Sequence, residues 1–170
     1  MKKIDFRYDL LPLKNKLFRL ALRITLDSAE AEDVTQDTLI RVWQRREELG
    51  KVDSIEAYCM TICRNLALDR REKRDAQHLS LDENPIETAD ASPLPDERLE
   101  RDERLRHVHR LFNQLPERLR TILQLRDIEG KSVRETAQIL EMTEENVKVT
   151  HHRARQLLRQ QYQKIESHGL

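Results

Sequence analysis

Residues 132–159 read SVRETAQILEMTEENVKVTHHRARQLLR. Ser132 and Glu135 stand three apart in the order of a capping box, which starts a helix by satisfying orphan backbone donors reciprocally. Val133, Ala137 and Leu140 then fall on one side at helical spacing. A three-residue break, Glu141-Met142-Thr143, follows, and Thr143 can cap a second, longer helix over about 144–163. A short helix, a tight turn and a longer helix predict a helix-turn-helix. In the longer helix, Val147, Ala154 and Leu158 form the inward side, with His151 near it. Lys148, Val149, His152, Gln156 and Arg159 face away, flanked by Arg153 and Arg155. Val149 is an apolar β-branched residue among cations, a type that can meet a thymine methyl in the major groove. The plainer alternative is a basic amphipathic helix whose outer side is only solvated.

Working back from that stretch, Leu105, Val108, Leu111, Phe112 and Leu115 predict a helix ending before Pro116. Pro116 opens another with Leu119, Ile122, Leu123 and Ile128, and Gly130 suits its left-handed C-terminal position. His107 and His109 read as solvated helix surface. The segment before these helices, residues 77–97, QHLSLDENPIETADASPLPDE, has six acids, no Lys or Arg, and three of the chain's five prolines. It predicts a flexible acidic linker, the alternative being a long loop inside one domain.

The first half carries three helical patterns. Leu13, Leu17, Leu20 and Ile24 mark one over about Asp9 to Leu26. Asp27-Ser28 start a second, with Ala31, Val34, Thr38 and Val42 inward and Leu39 and Trp43 beside them. On its other face Asp33, Gln36 and Asp37 lie together and Ile40 extends the stripe, which fits a partner-docking face or a solvated one. Ser54 caps a third, whose Ile55, Tyr58, Cys59, Ile62, Cys63 and Leu66 form an apolar stripe. Cys59 and Cys63 are most simply core thiols, because a zinc site needs about four ligands and no third Cys or nearby His follows. Away from that stripe lie Thr61, Arg64, Leu68 and Arg71, with Asn65 at the margin. The helix then runs into Arg70, Arg71, Lys73 and Arg74, a cationic end able to hold phosphates.

The 170-residue chain has 31 basic and 31 acidic side chains. That zero divides into +2 over residues 1–76, −6 over 77–97 and +4 over 98–170. Seven aromatic residues and three glycines disfavour strand-rich folds. The expected fold is all-α: two small helical domains, 1–76 and 98–170, joined by the acidic linker 77–97. No apolar run approaches the roughly 20 residues that span a bilayer, and two cysteines suit a reducing compartment, so no membrane insertion and a cytoplasmic location are expected. No Gly-rich phosphate loop, nucleophile elbow or metal-spaced His/Glu set is present. Neither an enzyme nor a cofactor is expected.

Taken together, AEDVTQDTLIRVW, SIEAYCMTICRNLALDRREKR, LPERLRTILQLRDIEGKSVRETAQIL and NVKVTHHRAR resemble the successive signatures of an extracytoplasmic-function sigma factor, over about residues 8–76 and 98–162. The resemblance implies a dissociable subunit that binds core RNA polymerase, recognises promoter DNA and starts strand opening. It implies polymerase contacts at Asp33, Gln36, Asp37 and Ile40. It implies a base-capturing loop at RREELGKVDS, and minus-ten DNA contacts through Arg64, Asn65, Arg70, Arg71, Lys73 and Arg74. Lys148, Val149 and His152 would read the minus-thirty-five element while Arg126, Arg134 and Arg153 hold its backbone. An anti-sigma factor is a further partner expected from the family. The chain departs from the pattern where Val149-Thr150-His151 replaces a common Ser-Arg-Leu, and where Tyr58 replaces a common Trp. Glu141 replaces a common Gly, which predicts a slightly different turn. The alternative function is a stand-alone helix-turn-helix regulator, usually a dimer on a palindrome.

Overall fold

A computed structural model describes residues 3–81 and 103–167, and every regular element among them is helical. A π-helical turn, Phe6–Leu10, and a 3₁₀ turn, Leu11–Leu13, lead into α1 (Lys14–Thr25). Next come α2 (Ser28–Gln44), a 3₁₀ stretch (Arg46–Lys51) and α3 (Ile55–Leu81). The second half has α4 (Glu103–Gln114) and α5 (Glu117–Leu123), which continues as a π-helical turn, Gln124–Ile128. It ends in α6 (Val133–Leu140) and α7 (Glu144–Ser167). Residues 82–97 of the expected linker lie outside the described residues, and α3 runs to Leu81, past the expected domain edge.

The local signals work as their chemistry requires. The Asp27 carboxylate accepts from the Glu30 backbone N–H at 3.0 Å. Ser54 accepts from Ala57 at 3.1 Å, and Thr143 accepts from Asn146 at 3.1 Å. Ser132 and Glu135 complete the capping box in both directions. Each such cap is worth about 1 kcal/mol. Gly130 takes φ +69°. Glu141 takes φ +55°, ψ +46°, a left-handed backbone that glycine adopts most readily. The side chain bears the cost of that conformation.

In the first half α1, α2 and α3 pack mutually. Leu17, Leu20, Ile24, Val34, Val42, Cys59 and Cys63 are fully buried among them. Full burial of one aliphatic side chain of this size is worth about 1.5–3 kcal/mol. The hydroxyls of Thr35 and Thr38 donate to the carbonyls of Ala31 and Val34 at 2.7 Å, so these buried polar groups are satisfied. In the second half α7 packs on α5, α4 and α6, and Phe112, Leu115, Leu123 and Ala154 form a small core of their own.

The halves are not separate. Ile122, Leu125, Ile139 and Leu140 of the second half belong to the same buried cluster as the core of the first. Helix α6 lies along α3, and α5 along α1. Ile139 therefore has 0 % exposure although it is off the inward stripe read from the sequence. It faces the other half.

Candidate polymerase and nucleic-acid interface

Helix α2 presents Asp33, Gln36 and Ile40 outward, with Asp37 half-buried beside them. Ile40 is 53 % exposed, so the stripe ends in an apolar residue open to solvent. The two carboxylates converge on one cation. Arg70 of α3 donates from Nη1 to Asp33 Oδ2 at 3.3 Å and from Nη2 to Asp37 Oδ2 at 3.1 Å. The sequence placed Arg70 with the DNA-facing cations, whereas the fold joins it to the acidic face of the neighbouring helix.

Arg71 and Arg74, on the same basic stretch, serve the C-terminus of α1. Arg71 Nη1 donates to the Ile24 carbonyl at 3.1 Å. Arg74 Nη2 donates to the Thr25 carbonyl at 2.5 Å and Nη1 to Glu30 Oε2 at 3.2 Å. A helix ends with carbonyls lacking intrahelical donors and with negative dipole charge, so arginines there are favourable on both counts. Lys73 and Asn65 remain exposed. Arg64 is half-buried, donates to Asn65 Oδ1 at 3.3 Å, and its Nε is buried without a partner. At the N-terminal end of α3, Ile4, Leu49, Gly50, Val52, Asp53 and Ile55 line a pocket of 230 Å³ beside the loop that the sequence singled out.

The second basic surface is on α7. Lys148, His152 and Arg153 are exposed and Val149 is 51 % exposed, while Val147 and Ala154 are fully buried against the neighbouring helices. The helix is thus amphipathic in the sense read from its sequence. Arg134 of α6 is exposed and lines a cleft of 340 Å³ with Gln138 and Glu144, at the mouth of the helix-turn-helix. Arg126 instead turns inward to the Lys131 carbonyl. His151, at the buried edge of α7, meets Asp127 Oδ2 at 3.0 Å, and Arg155 donates to the same carboxylate. Burial alone would raise the Asp127 pKa, but the hydrogen bonds from Arg155 and His151 bring it below the usual value.

Sequence reasoning missed the polar contacts between the halves. Arg23 of α1 is 9 % exposed. It donates to Gln124 Oε1 at 2.9 Å, to Asn113 Oδ1 at 2.8 Å, and to His109 Nδ1 at 3.2 Å. His109 is therefore an interface acceptor, not solvated surface. Arg120, 3 % exposed, donates to the carbonyls of Arg23 at 2.8 Å, Ile24 at 3.1 Å and Leu115 at 2.7 Å. Burial, then mutual repulsion with Arg120, lowers the Arg23 pKa to about 10. Burial, then repulsion by Arg71, does the same to Arg120. Both stay charged at neutral pH. Arg19 pairs with Glu129 through two hydrogen bonds, 2.6 and 3.1 Å. Lys131 and Lys16 both bond Glu56.

Comparison with known proteins finds a match for each half of the chain. Residues 12–77 match the family model for sigma-70 region 2, and residues 105–158 that for sigma-70 region 4. The chain is 29% identical over 147 residues to the ECF RNA polymerase sigma factor SigX of Bacillus subtilis, covering 84% of this chain and 76% of that one. Over 82 residues it is 39% identical to the ECF RNA polymerase sigma factor SigL of Mycobacterium tuberculosis, a match spanning 48% of this chain and 43% of that one. Among solved structures it is similar to the sigma factor RpoE of Bartonella quintana, determined in complex with the anti-sigma factor NepR. The TM-score is 0.73 at 25% identity, over 95% of this chain and 98% of that one.

Proposed function

The chain belongs to the extracytoplasmic-function group of sigma factors, and from that membership we propose how its residues divide the work of promoter recognition by RNA polymerase. Residues 1–76 form the domain that holds core polymerase and the minus-ten element, and 98–170 the domain that reads the minus-thirty-five element, with 77–97 between them. Asp33, Gln36, Asp37 and Ile40 dock on core polymerase. Two carboxylates next to an exposed apolar residue suit a basic partner surface with an apolar spot, where the rim sets orientation and the apolar contact adds burial.

At the minus-ten element, Asn65 and Lys73 are exposed for DNA in the free chain, and Arg64 borders them. Arg70, Arg71 and Arg74 reach DNA by exchanging their present carboxylate and carbonyl acceptors for phosphates. The pocket beside Leu49 and Val52 supports a place for an extruded base, which offsets part of the few kcal/mol that unstacking costs. On α7, Lys148, Val149 and His152 face bases, and Arg153 and Arg134 face phosphates. The observation that carries the reading is this outward set on a helix whose opposite side is buried in a helix-turn-helix. The factor supplies positioning and carries out no covalent chemistry, and it acts where polymerase and chromosome are, in the cytoplasm. A partner that sequesters it, an anti-sigma factor, completes the expected set.

The deciding experiment adds the purified chain to core polymerase and bacterial promoter fragments. Binding to core and specific initiation are expected. Failure to bind core, together with a footprint on a palindrome by the chain alone, would establish the stand-alone regulator instead. Asp37→Arg should weaken core association at least tenfold while leaving the helical circular dichroism unchanged, and unaltered affinity would remove Asp37 from the docking face.

A further inference from the structure

We propose that Asp127 is a specificity-determining residue for the minus-thirty-five element: from behind the reading helix it fixes the angle at which α7 meets DNA, and it keeps Arg155 off the phosphate backbone. The proposal rests on the promoter-recognition reading above, in which Lys148, Val149 and His152 face bases.

One carboxylate clasps two successive turns of α7. Its Oδ2 lies 3.0 Å from His151 Nε2 and accepts from Arg155 Nε at 3.2 Å, while its Oδ1 accepts from Arg155 Nη2 at 2.5 Å. Asp127 stands on the π-helical turn Gln124–Ile128 that prolongs α5, and that turn is itself tied down. The Glu129 N–H donates to the Gln124 carbonyl at 2.9 Å and the Lys131 N–H to the Leu125 carbonyl at 2.8 Å, and the Leu125 side chain is fully buried. The two partners differ in exposure. His151 is buried at 9 %, whereas the Arg155 side chain is 55 % exposed. One arm of the clasp therefore lies within the helix-turn-helix and the other reaches its surface.

The clasp sits where rotation of α7 matters most. His151 and Arg155 bracket His152 and follow Lys148 and Val149 within two turns. Val147 and Ala154, fully buried behind the helix, are small, and apolar contact is non-directional. They hold α7 in place without fixing its rotation, which a forked hydrogen bond does fix. A helix with its side chains has a radius of about 5–6 Å, so a rotation of about 20° carries their tips by about 2 Å. Hydrogen bonds to base edges tolerate only about 0.5 Å, so such a rotation would lose them.

Arg155 supplies the second half of the argument. It stands seven residues after Lys148, on the same side of α7 and roughly 10 Å further along it. A free guanidinium there suits a phosphate, and a phosphate contact adds affinity that carries no sequence information. Bonded through two nitrogens to Asp127, its charge is already answered. The carboxylate thus supports the sequence-reading contacts and withholds a sequence-independent one. Discrimination is the difference between those two kinds of binding.

Two measurements on the full chain test the proposal. In the first, core polymerase with the native chain initiates from a promoter library randomised across the minus-thirty-five element, and sequencing reports the base preference. Asp127→Asn, nearly isosteric, should lower the preference for the best bases by at least about fivefold, the scale of one lost base contact, with circular dichroism unchanged. In the second, each chain is titrated alone on a random-sequence duplex at graded salt. Asp127→Asn should bind about three times tighter than the native chain, with a salt slope steeper by about 0.9, one phosphate more. Asp127→Asn combined with Arg155→Gln should return to native affinity on that duplex while its base preference stays low. Partial unfolding would weaken both kinds of binding and cannot produce this split. An Asp127→Asn chain with native base preference, or one no tighter on random duplex than the native chain, overturns the assignment. A double variant as tight as Asp127→Asn overturns the part given to Arg155. If the native chain with core initiates from no member of the library, the promoter-recognition reading itself fails and takes the proposal with it. Native selection matched by Asp127→Asn refutes the proposal alone.

Discussion

The guanidinium carbon of Arg23 lies over the ring of Phe112, 3.9 Å from its centre, while its three donors reach three side chains of the other half. A residue of the first helix is thus solvated by the second domain and not by water. Stacking on an aromatic face and forked donation suit arginine in a way that lysine does not reproduce.

Arg23→Ala strands Gln124 and Asn113 in a buried interface and removes the stacking partner of Phe112. The loss should be about 2–3 kcal/mol, in the range for hydrogen bonds to a charged group. In a chain of this size that lowers the midpoint of thermal unfolding by roughly 5–10 °C. Arg23→Lys should recover less than half. Calorimetry on the two variants checks both, and a lysine variant as stable as the native chain would refute the forked role.

His109 gives the folded form a dependence on pH. Burial, and then the charge of Arg23, hold its pKa below the ordinary value, so the folded state favours the neutral ring, whose Nδ1 accepts from Arg23. Unfolded, the ring binds a proton near pH 6.5. The contribution is therefore complete above that value. It diminishes as pH falls through 6.5 towards the lower folded value, by up to about 1.4 kcal/mol per unit. Around the contact stand Glu129 and the two arginines Arg23 and Arg120, which stay charged in this window. Unfolding midpoints between pH 5 and 7.5 should decline less steeply in His109→Gln than in the native protein, and parallel curves would discard the assignment.

Cys59 and Cys63 should be silent to thiol reagents. Burial, aided for Cys59 by the charge of Glu56, raises its pKa to about 12. For Cys63 burial outweighs the hydrogen bond from Thr38, again to about 12. The thiolate, which is the reactive form, is then about one part in ten thousand at pH 8. Dithionitrobenzoate should find no fast thiol in the native chain and two in denaturant. One fast thiol without denaturant would show that the α3 stripe is open.

Glu141 bears a left-handed backbone with a side chain. Relief of about 1–2 kcal/mol, less the entropy of a new glycine, should make Glu141→Gly more stable by about 0.5–1 kcal/mol. A denaturant midpoint that falls instead would mean that the side chain makes a compensating contact.

Helix positions, their caps and the amphipathic division of α7 were legible in the sequence because they depend on residues three or four apart. Asp27, Ser54, Ser132 and Thr143 each bond a backbone donor within one turn. Thus Lys148 and Val149 were placed on the outer side of α7 without reference to any other helix. The stripe on α3 was legible only in part: Met60 and Ala67 are fully buried although they lie outside it, since α3 is covered by α6 as well as by α1 and α2.

What the chain alone determined is therefore an all-α protein with two basic helical surfaces, an acidic stripe on α2 and the chemistry each can offer. Tertiary structure decided which of those charges are committed. Arg70 spans Asp33 and Asp37 across 37 and 33 residues of sequence, and Arg23 meets Gln124 across 101. A local pattern records which way a side chain leaves its helix. Whether water, a carboxylate or another domain meets it there depends on surfaces brought together from distant sequence, and the free energy of a charge is set by that meeting.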